Sequence, residues 1–234
     1  MQTRETLPFT SAQSRWERVL ALAWLPVHLF LLPMLAVRLL GDRMNQAELN
    51  LLVYGTGALY MLLTQWHFLR RDFDPLWDRP VRVLLEVLLC YGLMLLMNLV
   101  LNGLLIYLLP EDNPNNSSVM DMALGDYGIV SALAIFLAPI VEELIFRAGI
   151  FGLVRQRSRW AAYAVSMLLF ALYHVWAYAL ESPVYLLYIL QYLPISYLLC
   201  RCYERTDSIW SSIFLHMLVN AVSIRALTIL EELL

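Results

Sequence analysis

The sequence predicts an all-α fold, a polytopic transmembrane bundle of 7–8 helices. Three observations lead there. Of 234 residues, 61% are hydrophobic and only 15% charged, against roughly half and a quarter in soluble domains. The apolar residues are gathered into runs of about 20, the length a helix needs to cross the hydrocarbon core of a bilayer. The charged residues fall in short clusters between those runs.

Seven runs follow one another, near 19–37, 48–69, 83–109, 127–146, 160–180, 184–200 and 208–230. The first follows a polar stretch holding Arg4, Arg15, Glu17 and Arg18. It is too long for the apolar part of a cleaved signal and lacks a small-residue cleavage site, so it reads as a span. The third is long enough to tilt or to carry an interfacial piece, and 147–158 has room for an eighth element. Residues 1–124 thus hold three spans and an acidic outer loop, and 125–234 the remaining helices of one integral bundle. Trp16, Trp66, Trp77, Trp160, Trp176 and Trp210 lie near the ends of runs, as an interfacial belt requires.

Arginine sets the orientation. Arg15, Arg18, Arg70, Arg71, Arg79, Arg82, Arg155, Arg157, Arg159, Arg201 and Arg205 all fall at one predicted end of the bundle. The opposite end has Arg38 and Arg43, and the 110–126 loop there is acidic and Asn-rich. The positive-inside rule then expects an integral plasma (inner) membrane protein with a cytoplasmic N-terminus. There is no basic tail or aromatic-basic patch for nucleic acid. Cys90, Cys200 and Cys202, an odd set within apolar runs, argue against a disulfide framework.

Charged groups at bilayer depth are costly and usually face the bundle interior. His28, His67, Glu86 and Asn98 are isolated in the early spans and read as structural. The later spans differ. Glu142-Glu143 is followed by Arg147, and the four-residue step puts Glu143 and Arg147 on one helix face, suited to an ion pair. Glu142, about 100° away, is left free for other work. The next span carries Phe170 and His174, and the last carries His216 and Asn220 on one face. A carboxylate, two imidazoles and an amide converging in a bundle form an acid–base and polarising set of the kind hydrolysis needs. At 1.5 Å per residue Glu142 lies roughly 8 Å, His216 roughly 12 Å and His174 roughly 20 Å from the arginine-rich edge. The mismatch predicts that the fifth span begins later than residue 160, and the site is expected to open toward the cytoplasm.

Glu142-Glu143-x-x-x-Arg147, Phe170-x-x-x-His174 and His216-x-x-x-Asn220, in this order on three spans, resemble the motifs of the CPBP family. That family includes the type II CAAX prenyl endopeptidases and bacterial proteins linked to bacteriocin self-immunity. The resemblance covers about 125–230. It implies an intramembrane endopeptidase in which Glu142 and His174 activate water, His216 and Asn220 stabilise the oxyanion, and Glu143, Arg147 and Phe170 support the site. The implied partners are a peptide or membrane-protein substrate, prenylated in the CAAX branch, and the lipid bilayer. Zinc is the competing cofactor reading. The absence of a His-Glu-x-x-His helix and the presence of Asn220 favour a metal-free glutamate mechanism. The alternatives are a non-catalytic scaffold or immunity protein of the same fold, and a proton or ion transporter using the same buried groups.

Overall fold

The computed structural model describes residues 9–108 and 113–233, and the described residues form helices joined by short turns, with no strand among them. The principal helices are α1 (Arg15–Leu40), α2 (Gln46–Thr64), α3 (Pro80–Leu108), α4 (Pro114–Gly125), α5 (Tyr127–Arg155), α6 (Arg159–Glu181), α7 (Pro183–Thr206) and α8 (Ile209–Leu233). Two short helices, Trp66–Arg71 and Asp74–Asp78, link α2 to α3. Six helices are long and apolar enough to cross a membrane: α1, α3, α5, α6, α7 and α8. The run read as a second span becomes α2, which packs in the bundle and is not among those six. The room for an eighth element at 147–158 is taken by the continuation of α5, which runs unbroken to Arg155.

Helix ends follow local chemistry. Ser14 and Glu17 form a capping box at α1: Ser14 N donates to Glu17 Oε2 at 2.8 Å and Glu17 N donates to Ser14 Oγ at 3.3 Å. Asn45 and Glu48 repeat the device at α2, with bonds of 2.8 and 2.9 Å. Asp126 starts α5 by accepting from Ile129 N at 2.9 Å, and Ser158 starts α6 by accepting from Ala161 N at 3.3 Å. Asp207, in the left-handed region at φ 56°, ends α7 and turns the chain into α8.

Three wide, π-type turns interrupt the ladders, at Val27–Leu31 in α1 and at Ala132–Leu137 and Leu144–Phe151 in α5. Two lie just before Pro33 and Pro139. A proline within a helix lacks the N–H for the preceding turn and crowds its carbonyl, and a wider turn relieves both.

α5 is the centre of the bundle. Half of its most apolar window is buried, against 22% for α1 and for α3. Phe146, Phe151, Phe170, Leu198, Leu199 and Tyr203 pack around it at under 2% exposure. Leu63, Leu99, Val100 and Trp160 point outward, the surface a lipid-facing bundle presents.

At the arginine-bearing end the chain closes on itself. The backbone N–H groups of Thr10 and Ser11 each donate to Asp207 Oδ1 at 2.8 Å, and Tyr203 OH donates to Ser11 O at 2.7 Å. Ser11 Oγ and Ile209 N both donate to the Asp72 carboxylate, and Ser208 Oγ donates to Asp72 O at 2.7 Å. Phe9 packs edge-on against Phe151 and Tyr203. The α7–α8 turn is therefore sunk beneath residues 9–13, and Ser208 and Ile209 are fully buried.

A candidate hydrolytic site in the bundle core

α5 places Glu142 and Glu143 back to back. Both are buried, Glu143 completely, and they face different sets of side chains that meet at His216. Glu143 Oε1 lies 3.0 Å from Arg147 Nη1 and 2.8 Å from His216 Nδ1, while Ser212 Oγ donates to Glu143 Oε2. Arg147 donates from Nη2 to Ser196 Oγ at 3.1 Å, and its guanidinium lies 4.0 Å above the Phe170 ring. The Arg147–Glu143 contact is an ion pair by distance without hydrogen-bond alignment, since Nη1 has no hydrogen-bond partner.

Glu142 faces the other way. Its Oε2 is buried without a hydrogen-bond partner, and His174 Nε2 and His216 Nε2 each stand 3.8 Å from it. The ring hydrogens can be placed by elimination. His174 Nδ1 lies 2.9 Å from Phe170 O, which only accepts, so Nδ1 carries the proton and Nε2 of the neutral ring a lone pair. His216 Nδ1 donates to the Glu143 carboxylate in the same way. Glu142 Oε2 and His174 Nε2 thus face each other as two acceptors, an arrangement satisfied by a donor such as a water or a shared proton.

These groups close the inner end of a cavity of about 690 Å³. Asn220 lines it one turn beyond His216, with its Nδ2 committed to Ala134 O at 2.7 Å. The carbonyl it reaches belongs to a wide turn of α5. The cavity therefore brings together Glu142, His174, His216 and Asn220, while Glu143 and Arg147 lie behind it and Phe170 lines it.

The cavity runs toward Asn113, Asn115 and Asn116 at the start of α4. That is the arginine-poor end, opposite to the direction expected from the sequence. The reason lies in the length of α5. α6 does begin at Arg159, but α5 extends to Arg155, so Glu142 lies roughly 20 Å from that end rather than 8 Å. His216 is deeper than its place in α8 implies because the α7–α8 turn is itself buried.

A second set reaches Glu142 from the N-terminal helices. Tyr54 OH donates to Glu142 Oε1 at 3.5 Å and lies 2.8 Å from Tyr173 OH, which lies 3.0 Å from His28 Nε2. Sequence reasoning took His28 as isolated and gave Tyr54 and Tyr173 no role. The available signal was the cost of an ionisable ring in a span. Asn98, also read as isolated, lines the cavity, and Glu86 pairs with Arg201 at 2.9 Å.

Zinc at this point would take Glu142, His174 and His216 as its ligands. Tetrahedral zinc with ligands near 2.0 Å sets them ~3.3 Å apart, closer than the 3.8 Å observed from Glu142 to each imidazole. Among the described residues, no group of three or more His, Cys, Asp or Glu side chains is disposed to hold a metal.

A helical bundle with six helices long and apolar enough to cross a bilayer is the architecture of an integral membrane protein. Residues 126–222, most of the stretch from α5 into α8, match the family described as type II CAAX prenyl endopeptidase Rce1-like. α1 to α4 lie outside the match. Comparisons with curated proteins and with solved structures find no match to the chain.

Proposed function

We propose that the protein is an intramembrane endopeptidase of the glutamate type, hydrolysing a peptide bond held against Glu142 without a metal. The observation that carries this reading is the unpartnered Glu142 Oε2 facing two imidazole Nε2 atoms at 3.8 Å. A water there donates one hydrogen to Glu142 and one to His174 Nε2, leaving an oxygen lone pair directed at a bound carbonyl. Glu142 takes the proton as water attacks and returns it to the departing amine, so the step balances without a further reactant.

His216 stabilises the oxyanion as a protonated ring, donating from Nε2 while Glu143 holds Nδ1. Asn220 has a second amide hydrogen left after its bond to Ala134 O. The arginine distribution supports a cytoplasmic N-terminus in the plasma (inner) membrane. The cavity then opens toward the opposite face, and substrate arrives from there or from the bilayer plane. A peptide or membrane-protein segment, prenylated or not, is the substrate class.

The test is cleavage of a peptide library by the full chain in proteoliposomes. Glu142→Gln and His174→Ala should each lower turnover by about 10²-fold or more, and prior chelation should leave the wild-type rate unchanged. Undiminished turnover in both variants overturns the assignment and favours the scaffold reading. Activity lost on chelation and restored by zinc overturns the metal-free mechanism.

A further inference from the structure

Tyr192 of α7 lines the cavity and joins His174 to the start of α4. Its ring stacks on the His174 imidazole, with centroids 4.5 Å apart and planes at 25°. Its hydroxyl reaches α4, where Asn113 Nδ2 donates to it at 3.3 Å and Asn115 Nδ2 at 3.0 Å.

These amide partners leave the hydroxyl's own hydrogen over. Asn113 is buried, and its Oδ1 accepts the backbone N–H of Asn115 at 3.0 Å, which fixes the oxygen end of that carboxamide. Both hydrogens of Asn113 Nδ2 are then committed, one to Gln191 Oε1 at 2.6 Å and one to Tyr192. Gln191 is oriented in turn, since its Nε2 donates to Asn102 Oδ1 at 3.4 Å. With two amides donating to it, the Tyr192 oxygen has its lone pairs filled, and among the described residues its O–H meets no acceptor.

That hydrogen is available to whatever enters the cavity. A peptide offers an acceptor at every residue, its backbone carbonyl, whatever its side chains. A carbonyl that takes the hydrogen in place of water gains a net hydrogen bond, and a hydroxyl already held by its ring and two amides loses little freedom in making it. We propose that Tyr192 is a substrate-binding residue whose hydroxyl donates to a backbone carbonyl of the bound peptide. With His216 and Asn220 serving the carbonyl under attack, this is a neighbouring carbonyl of the same chain. The inference deepens the endopeptidase reading and rests on it for the peptide.

The test uses full-length Glu142→Gln protein in nanodiscs, titrated with a fluorescent S-farnesyl octapeptide of CAAX type, with empty nanodiscs as the blank. Adding Tyr192→Phe removes the hydroxyl and keeps the ring, and should weaken binding about 3- to 10-fold. The peptide is then remade with each backbone carbonyl replaced in turn by a thiocarbonyl, a poorer acceptor. One replacement, away from the bond that wild-type protein cuts, should weaken binding while Tyr192 is present and have no further effect in Tyr192→Phe. A tyrosine with only a structural role would lower every affinity alike. Unchanged affinity in Tyr192→Phe overturns the inference, as does a loss that no single replacement reproduces, or a peptide that fails to saturate. Turnover separates the two readings. If the octapeptide is cleaved with one KM with and without Tyr192→Phe, the hydrolase stands and the tyrosine's role falls. If the Tyr192-dependent carbonyl is found but wild-type protein cleaves nothing, the binding role stands and the hydrolase falls.

Discussion

Arg147 and Glu143 offer the sharpest test of how the site is braced. Arg147→Met removes a guanidinium with no solvent exposure that touches Glu143 at 3.0 Å, Ser196 at 3.1 Å and the Phe170 ring at 4.0 Å. Breaking a buried ion pair from one side costs about 3–5 kcal/mol, because the remaining charge is stranded. The two sides differ here. Glu143 without Arg147 keeps donors from Ser212 and His216, which puts Arg147→Met near ~3 kcal/mol. Arg147 without an anionic partner at Glu143 keeps the neutral Ser196 and Cys200 side chains and the Phe170 face, which puts Glu143→Gln near ~5 kcal/mol. The double variant strands neither charge and should cost about 4 kcal/mol rather than the ~8 kcal/mol of simple addition. Denaturant titration in mixed micelles, followed by tryptophan fluorescence, measures all three. A double-variant cost within ~0.5 kcal/mol of the sum would refute the reasoning, since independent sites add.

Two further predictions concern the bundle core and its arginine-bearing end. Tyr54→Phe deletes the hydroxyl linking Glu142 to Tyr173 and His28 while keeping the ring, so kcat should fall about 5- to 30-fold with KM nearly unchanged, equivalent to ~1–2 kcal/mol for a hydrogen bond to a charged group. A kcat within twofold of wild type removes Tyr54 as a positioning residue. Burial pushes the Asp72 carboxyl up to about 7 from its ordinary value of 3.8, against the opposing bonds from Ser11 and Ile209. The folded chain then holds a proton that the unfolded chain releases, so this contribution is greatest below the unfolded value and is lost as pH rises toward 7. The loss amounts to roughly 3–4 kcal/mol across that window. Asp72→Asn should flatten the fall in stability measured between pH 4.5 and 7.5, and an unchanged slope contradicts the assignment.

What was legible in the sequence was what is periodic or local. Runs of apolar residues gave the spanning helices, and the four-residue step gave the Glu143–Arg147 pair that the structure contains. The same step placed Asn220 with His216 along one cavity wall. Contacts between distant helices left no such trace. Nothing in the spacing of Tyr54, Tyr173 and His28 shows that they meet, because they lie on three helices whose packing is set by the whole bundle. The direction of the cavity was misread because depth was counted from the end of an apolar run. Helix α5 continues past that end through Arg147 to Arg155, with polar side chains paid for by buried partners.

The closure over the α7–α8 turn has a consequence for the order in which the protein is made. Thr10 and Ser11 bond to Asp207 across 197 and 196 residues of sequence. At ribosomal rates of 5–20 residues per second, the segment that starts the chain waits about 10–40 s for its partner to be synthesised. Until then Phe9 and Ser11 have no seat, and the five membrane-length helices that precede Asp207 are made with that end of the bundle open. The first residues to leave the ribosome are thus among the last to find their place, and closing this seam reports that α8 has arrived.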